Sequence, residues 1–124
     1  MTREIKVFYF TKTGNTKAFA DCLDVETTDI SEMPVSDKSF VLMTPTYFYG
    51  QVPEEVVKWM TDNKERIIGV IGFGNRNWGA QYFTMSADKI SESYDVPLLA
   101  RVEMRGTNDE IEQVNEILAE MGGR

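Results

Sequence analysis

What most constrains this chain is a set of short apolar runs without polar alternation, spaced by helical patterns. Phe40 to Thr44 (FVLMT) is the sharpest of them. A strand with one face in water alternates apolar and polar residues. A strand that is apolar throughout is covered on both faces, as a central strand of a parallel sheet is. Glu4 to Phe10 (EIKVFYF), β-branched and aromatic, reads as a second buried strand. Arg66 to Gly72 (RIIGVIG) and Pro97 to Met104 add two more, and Val25 to Ile30 forms a weaker one.

The intervening segments read as helices with single apolar faces. Phe19, Ala20 and Leu23 mark the first. Ser31 to Ser39, which holds Pro34, leaves almost no room for a helix before the next strand. Pro53 stands where the first turn of a helix tolerates proline, and Val56, Val57 and Met60 form that helix's expected apolar face. Phe83, Ala87, Ile90 and Tyr94 follow at spacings of four, three and four. Thr107 and Glu110 make a capping box for a last helix that buries Ile111, Val114, Leu118 and Met121. The order β-α-β-β-α-β-α-β-α predicts an α/β fold: a doubly wound, five-stranded parallel sheet of order 2-1-3-4-5 with helices on both faces. Repeats, low-complexity segments and linkers are absent from the sequence, so residues 1–124 are expected to form one domain. Ligands of such sheets bind beyond the carboxyl ends of the strands, here the loops after strands one, three, four and five.

Composition narrows the chemistry. The net charge is -7 and the Lys and Arg residues do not cluster, so a nucleic-acid partner is not expected. The acidic balance fits solubility or docking to a basic surface. There is one cysteine, Cys22, and no histidine. That excludes a disulfide framework, a Cys/His metal site and Ser-His or Cys-His catalysis. Demanding chemistry would therefore need a bound cofactor. Cys22 is expected to be inert packing on the first helix. No apolar run nears the roughly 20 residues of a membrane span, and the N-terminus enters a strand directly, so a cytoplasmic protein without membrane contact is expected.

The unusual residues fall in the carboxyl-end loops. Thr11-Lys12-Thr13-Gly14-Asn15-Thr16 lies between a strand and a helix, where successive backbone N–H groups form an anion site. Its threonines add hydroxyl donors, and Gly14 permits a close turn around a phosphate. By itself the hexapeptide reads equally as a Gly/Thr turn with a Thr N-cap. Thr46-Tyr47-Phe48-Tyr49-Gly50 brings three adjacent aromatics, and Asn75-Arg76-Asn77-Trp78-Gly79 a tryptophan. Aromatics on loops are candidates for stacking on a flat ring, although one or two could simply plug the sheet end. Gly72-Phe73-Gly74-Asn75-Arg76-Asn77 echoes a dinucleotide loop without its last glycine and too late in the chain, and reads as a backbone-rich rim. A P-loop, a receiver-domain acidic cluster and a phosphatase cysteine after strand one are all missing from the sequence.

Val7 to Leu23 (VFYFTKTGNTKAFADCL) closely resembles the phosphate signature of flavodoxins, which bind flavin mononucleotide (FMN). The resemblance implies that Thr11, Lys12, Thr13, Gly14, Asn15 and Thr16 hold the FMN phosphate. It implies that the ring lies across Thr46, Tyr47, Phe48, Tyr49, Gly50, Gly74, Asn75, Asn77, Trp78 and Gly79. Four further segments resemble the NrdI family, compact flavodoxin-like activators of class Ib ribonucleotide reductase. They are Gly50-Gln51-Val52-Pro53, Gly74-Asn75-Arg76-Asn77-Trp78-Gly79, Val96-Pro97 and Glu103-Met104-Arg105-Gly106-Thr107. Pro45-Thr46-Tyr47-Phe48-Tyr49 is more aromatic than that family requires.

The resemblance implies that reduced FMN passes electrons to O2, releasing superoxide or a related oxidant. The oxidant would then reach the small, radical-bearing subunit of the reductase and oxidise its dimetal centre. A reductant is needed, and the free protein is expected to be a monomer. The alternative reading is a general low-potential electron carrier. Gly50 also suggests a redox-linked peptide flip. Reduction protonates the flavin N5, a carbonyl must then face it, and glycine tolerates the positive φ this requires. The competing reading is that Gly50 only relieves crowding before Pro53.

Overall fold

In a computed structural model describing residues 5–46, 50–75 and 82–121, five strands lie side by side in the order β2-β1-β3-β4-β5, all parallel. The strands are β1 (Lys6–Tyr9), β2 (Thr27–Asp29), β3 (Phe40–Pro45), β4 (Ile67–Gly74) and β5 (Leu98–Glu103). The helices are α1 (Asn15–Asp21), α2 (Glu54–Thr61), α3 (Met85–Tyr94) and α4 (Asn108–Met121). One 3-10 turn, Ile30–Glu32, follows β2 and is the whole helical content of the β2–β3 connection. The expected topology is thus observed.

Successive side chains of a strand point to opposite faces, and the core divides accordingly. Val7 and Tyr9 of β1, Val41 and Met43 of β3, Ile71 and Phe73 of β4 and Val102 of β5 face one way, under Phe19, Ala20 and Leu23 at α1 and Val114 and Leu118 of α4. Phe8, Phe40, Leu42 and Val70 face the other way, under Val56, Trp59 and Met60 of α2 and Ala87 and Ile90 of α3. The central runs lack polar alternation because both faces are covered. On the second face Trp59 packs with ring centroids 4.9 Å from Phe8 and 5.0 Å from Phe40.

Several local expectations need correction. Val57 is 52% exposed, and Trp59 takes the place assigned to it on the apolar face of α2. The burying positions are 56, 59 and 60, so the helix presents the i, i+3, i+4 stripe with its tryptophan inward. Phe83 precedes α3, whose buried residues are Ser86, Ala87 and Ile90. Gly74 ends β4 instead of opening a loop. Cys22 is the C-cap of α1 and is exposed, so it is not core packing. At α1 the N-cap is Gly14 in a left-handed conformation, with no side-chain cap bond, so the Thr N-cap reading does not hold. The capping box of α4 does form. Thr107 N–H donates to Glu110 Oε1 (2.9 Å) and Glu110 N–H to Thr107 Oγ1 (3.2 Å). No described helix is long and apolar enough to cross a membrane.

Candidate functional site

A parallel sheet delivers all its strand-to-helix loops to one edge, and there the chain forms a cleft of about 330 Å³. Its lining comes from four loops. Lys12, Thr13, Asn15 and Thr16 follow β1, Pro45 and Thr46 end β3, Phe73, Gly74 and Asn75 end β4, and Met104 follows β5. Volumes of roughly 300–1,000 Å³ are usual for small-molecule sites.

The loop after β1 is held open by its own backbone. Gly14 has φ 96°, and an added Cβ would meet nothing within 4 Å. Glycine is there for its left-handed conformation alone, since no neighbour crowds it. Gly14 N–H donates to Thr11 Oγ1 (3.1 Å), which closes the loop on itself. Thr11 is therefore engaged inside the loop and does not line the cleft. Without a side-chain cap, the first N–H groups of α1 have no intrahelical acceptor. Thr16, only 2% exposed, still reaches the cleft wall.

Opposite this loop stands the first turn of α3. Thr84, just before it, is fully buried with φ 56°, a left-handed conformation that is costly for a β-branched residue. Arg101 of β5 stabilises it, donating through one guanidinium nitrogen to Thr84 Oγ1 (2.7 Å) and through both to the Asp88 carboxylate (2.9 and 2.7 Å). That bond to Asp88 holds the guanidinium pKa above its ordinary value. Two residues of the α3 turn reach the loop after β3. The thioether of Met85 covers Gly50, which is buried at φ 87°. Ser86 hydrogen-bonds both Pro45 and Thr46.

Of the residues singled out from sequence, Lys12, Thr13, Asn15, Thr16, Thr46, Gly74 and Asn75 meet in the cleft. Gly50 lies behind it against Met85. Tyr47, Phe48, Tyr49, Asn77, Trp78 and Gly79 lie outside the described residues. Sequence reading missed Pro45, Phe73 and Met104 as lining residues. Met104 carried a usable signal, since it directly follows β5 at the carboxyl end. It is 51% exposed at φ 55°, with its N–H donated to Gly74 O (2.9 Å). Phe73 carried none, because a strand residue that is core on one side and cleft floor at its end looks like core alone. Among the described residues no group of His, Cys, Asp and Glu is placed to hold a metal ion.

Comparison with known proteins agrees with this arrangement. Residues 7–116 match the family model described as NrdI Flavodoxin like. The SPbeta prophage-derived protein NrdI of Bacillus subtilis (strain 168) is 34% identical over 110 residues, spanning 86% of this chain and 84% of that protein. The phage protein nrdI of Bacillus phage SPbeta matches to the same extent. Among solved structures, a short-chain flavodoxin associated with a non-canonical PDU bacterial microcompartment superposes with TM-score 0.71 at 20% identity, over 94% of this chain and 95% of that one. Oxidised Flavodoxin 2 from Bacillus cereus gives TM-score 0.68 at 17% identity, over 95% and 97%. At these identities the structural matches speak for the fold.

Proposed function

The chain belongs to the NrdI family of flavodoxin-like proteins, and from that premise we propose that it binds FMN in the carboxyl-end cleft and activates a class Ib-type ribonucleotide reductase. Fold and family together imply a flavin cofactor. The observation that supports this site is its chemistry. In a chain of net charge -7, the described lining includes one cation, Lys12, together with hydroxyl, amide and apolar groups, and no carboxylate. An anionic phosphate fits that lining, and it would find the uncapped amides of α1 and the hydroxyls of Thr13 and Thr16. α1 has only seven residues, so the loop's own donors matter more than a helix dipole. Phe73 and Met104 supply apolar surface for a flat ring, with the aromatics Tyr47, Phe48, Tyr49 and Trp78 nearby in sequence. Gly50, already at positive φ, is compatible with the peptide flip suggested by its sequence position.

The flavin, when bound and reduced by a physiological reductant, would supply electrons to O2 to give superoxide or a related oxidant. This chain's residues would bind the phosphate, orient the ring and control access to it. The recipient is the small, radical-bearing subunit of the reductase, whose dimetal centre the oxidant would convert to its active state.

The deciding experiment has two stages. FMN titration of the purified protein should show stoichiometric binding. The reduced, loaded protein, mixed with O2 and a dimanganese small subunit, should then raise a tyrosyl-radical signal by electron paramagnetic resonance. Binding without radical formation would leave the general electron-carrier reading in its place, and no binding would remove both.

A further inference from the structure

Ser86 is fully buried at the first turn of α3, and its hydroxyl accounts for an unusual hydrogen-bond balance at the cleft wall. Ser86 Oγ donates its single hydrogen to Pro45 O (2.8 Å). It also lies 2.9 Å from Thr46 Oγ1. Because the Ser86 hydrogen is already committed, the hydrogen in that second contact must come from Thr46. Thr46 Oγ1 meanwhile accepts from Ser86 N–H (3.3 Å). A threonine hydroxyl has one hydrogen and two lone pairs. Here the hydrogen and one lone pair are both taken by Ser86, and one lone pair is left on a residue that lines the cleft.

We propose that Ser86 is a positioning residue that locks the Thr46 hydroxyl as a hydrogen-bond acceptor toward the cleft, so that Thr46 selects an N–H donor on the flavin ring. This rests on the flavin reading above and adds to it the polarity of one contact. A free threonine would rotate and serve either donors or acceptors on a ligand, and Ser86 removes that choice. The lock is rigid because the turn that carries it is held from two further sides. Arg101 grips Thr84 and Asp88, and Met85 is seated on Gly50. Ring N–H groups are the complementary chemistry. One is present in every redox state, and another appears at N5 on reduction.

Thr46→Ser, Thr46→Val, Ser86→Ala and the Thr46→Val/Ser86→Ala double variant test this. FMN affinity would be measured by titration in the oxidised and the anaerobically reduced state. Thr46→Ser should stay within about twofold of the parent. Thr46→Val and Ser86→Ala should each weaken binding about three- to tenfold, the worth of one net hydrogen bond. The double variant should be no worse than Thr46→Val alone, because the two residues act as one unit. Parent-like binding by Ser86→Ala, or losses that multiply in the double variant, would overturn the inference. If Ser86→Ala does not fold, loss of binding in Thr46→Ser equal to that in Thr46→Val overturns it. Hydrogen exchange of the Ser86 amide in flavin-free protein checks the lock without ligand. Protection should persist in Thr46→Ser and fall in Thr46→Val, and equal protection in both overturns it. A parent that fails to bind FMN would sink the flavin reading and the ring contact with it. Binding parent with unaffected variants would sink this inference alone.

Discussion

At the amino end of the sheet, one buried side chain closes every open backbone group around it. Asn63 accepts from Ser36 N–H (2.7 Å) and donates to Pro34 O (2.9 Å) and Trp59 O (2.8 Å). The indole N–H of Trp59 donates to Met33 O (2.8 Å). At the carboxyl end the described backbone is left strained or open. Gly14, Gly50, Thr84, Met104 and Gly106 all have φ between 55° and 96° there. Asp95 is the one other described positive-φ residue, and it terminates α3 in the ordinary way for a helix end. Left-handed conformations in non-glycine residues cost free energy and tend to persist at functional sites. The contrast teaches that one end of this sheet is optimised for stability and the other for a ligand.

Four substitutions would break or sharpen that contrast. The largest effect is expected from Trp59→Ala, which opens a cavity beside Phe8 and Phe40. It should lower unfolding free energy in urea by about 3–5 kcal/mol, while the folded fraction keeps parent-like FMN affinity. A parallel fall in affinity would mean that the two ends are coupled. Asn63→Ala leaves three backbone groups without their partner and should cost about 2–3 kcal/mol, again without loss of affinity. Gly14→Ala meets no steric clash, so its cost is conformational, about 1–2 kcal/mol at φ 96°. FMN titration should show weaker binding as well, because the loop after β1 must shift. Unchanged binding would take that loop out of the site. The smallest change is of opposite sign. Met104→Gly relieves a left-handed methionine and should stabilise the protein by up to about 1 kcal/mol, partly offset by glycine's greater chain entropy. It should also weaken flavin binding, as thermal melts with and without FMN would reveal. Destabilisation by Met104→Gly would show that the strained carboxyl end contributes to holding the fold.

The structure also changes what can be learned from Gly50. A Cβ there would run into the Met85 side chain, so Gly50→Ala alone mixes steric clash with loss of positive φ. Pairing it with Met85→Ala separates the two: an effect on the flavin potentials that survives the pair belongs to the backbone.

Strand order, the two-sided core, the capping box at Thr107 and Glu110, and the location of the site at the carboxyl edge were all legible in the chain. Each depends on periodicity or on a short local pattern, and the parallel sheet then leaves one edge for ligands. The inward turn of Trp59, the exposure of Val57 and Cys22, and the cleft role of Phe73 were not legible. These depend on which neighbour arrives from a distant segment. Val57 and Trp59 are both apolar and two positions apart, and only the packing of Phe8 and Phe40 against α2 decides which one goes inside. The Ser86–Thr46 lock is the extreme case. Its partners are 40 residues apart, and each is an ordinary hydroxyl in its own segment. Local sequence specifies which elements form and in what order, because helix and strand periods are properties of neighbours along the chain. Hydrogen-bond polarity at the site arises only when β3 and α3 meet, because a hydroxyl takes its direction from the groups that surround it in space.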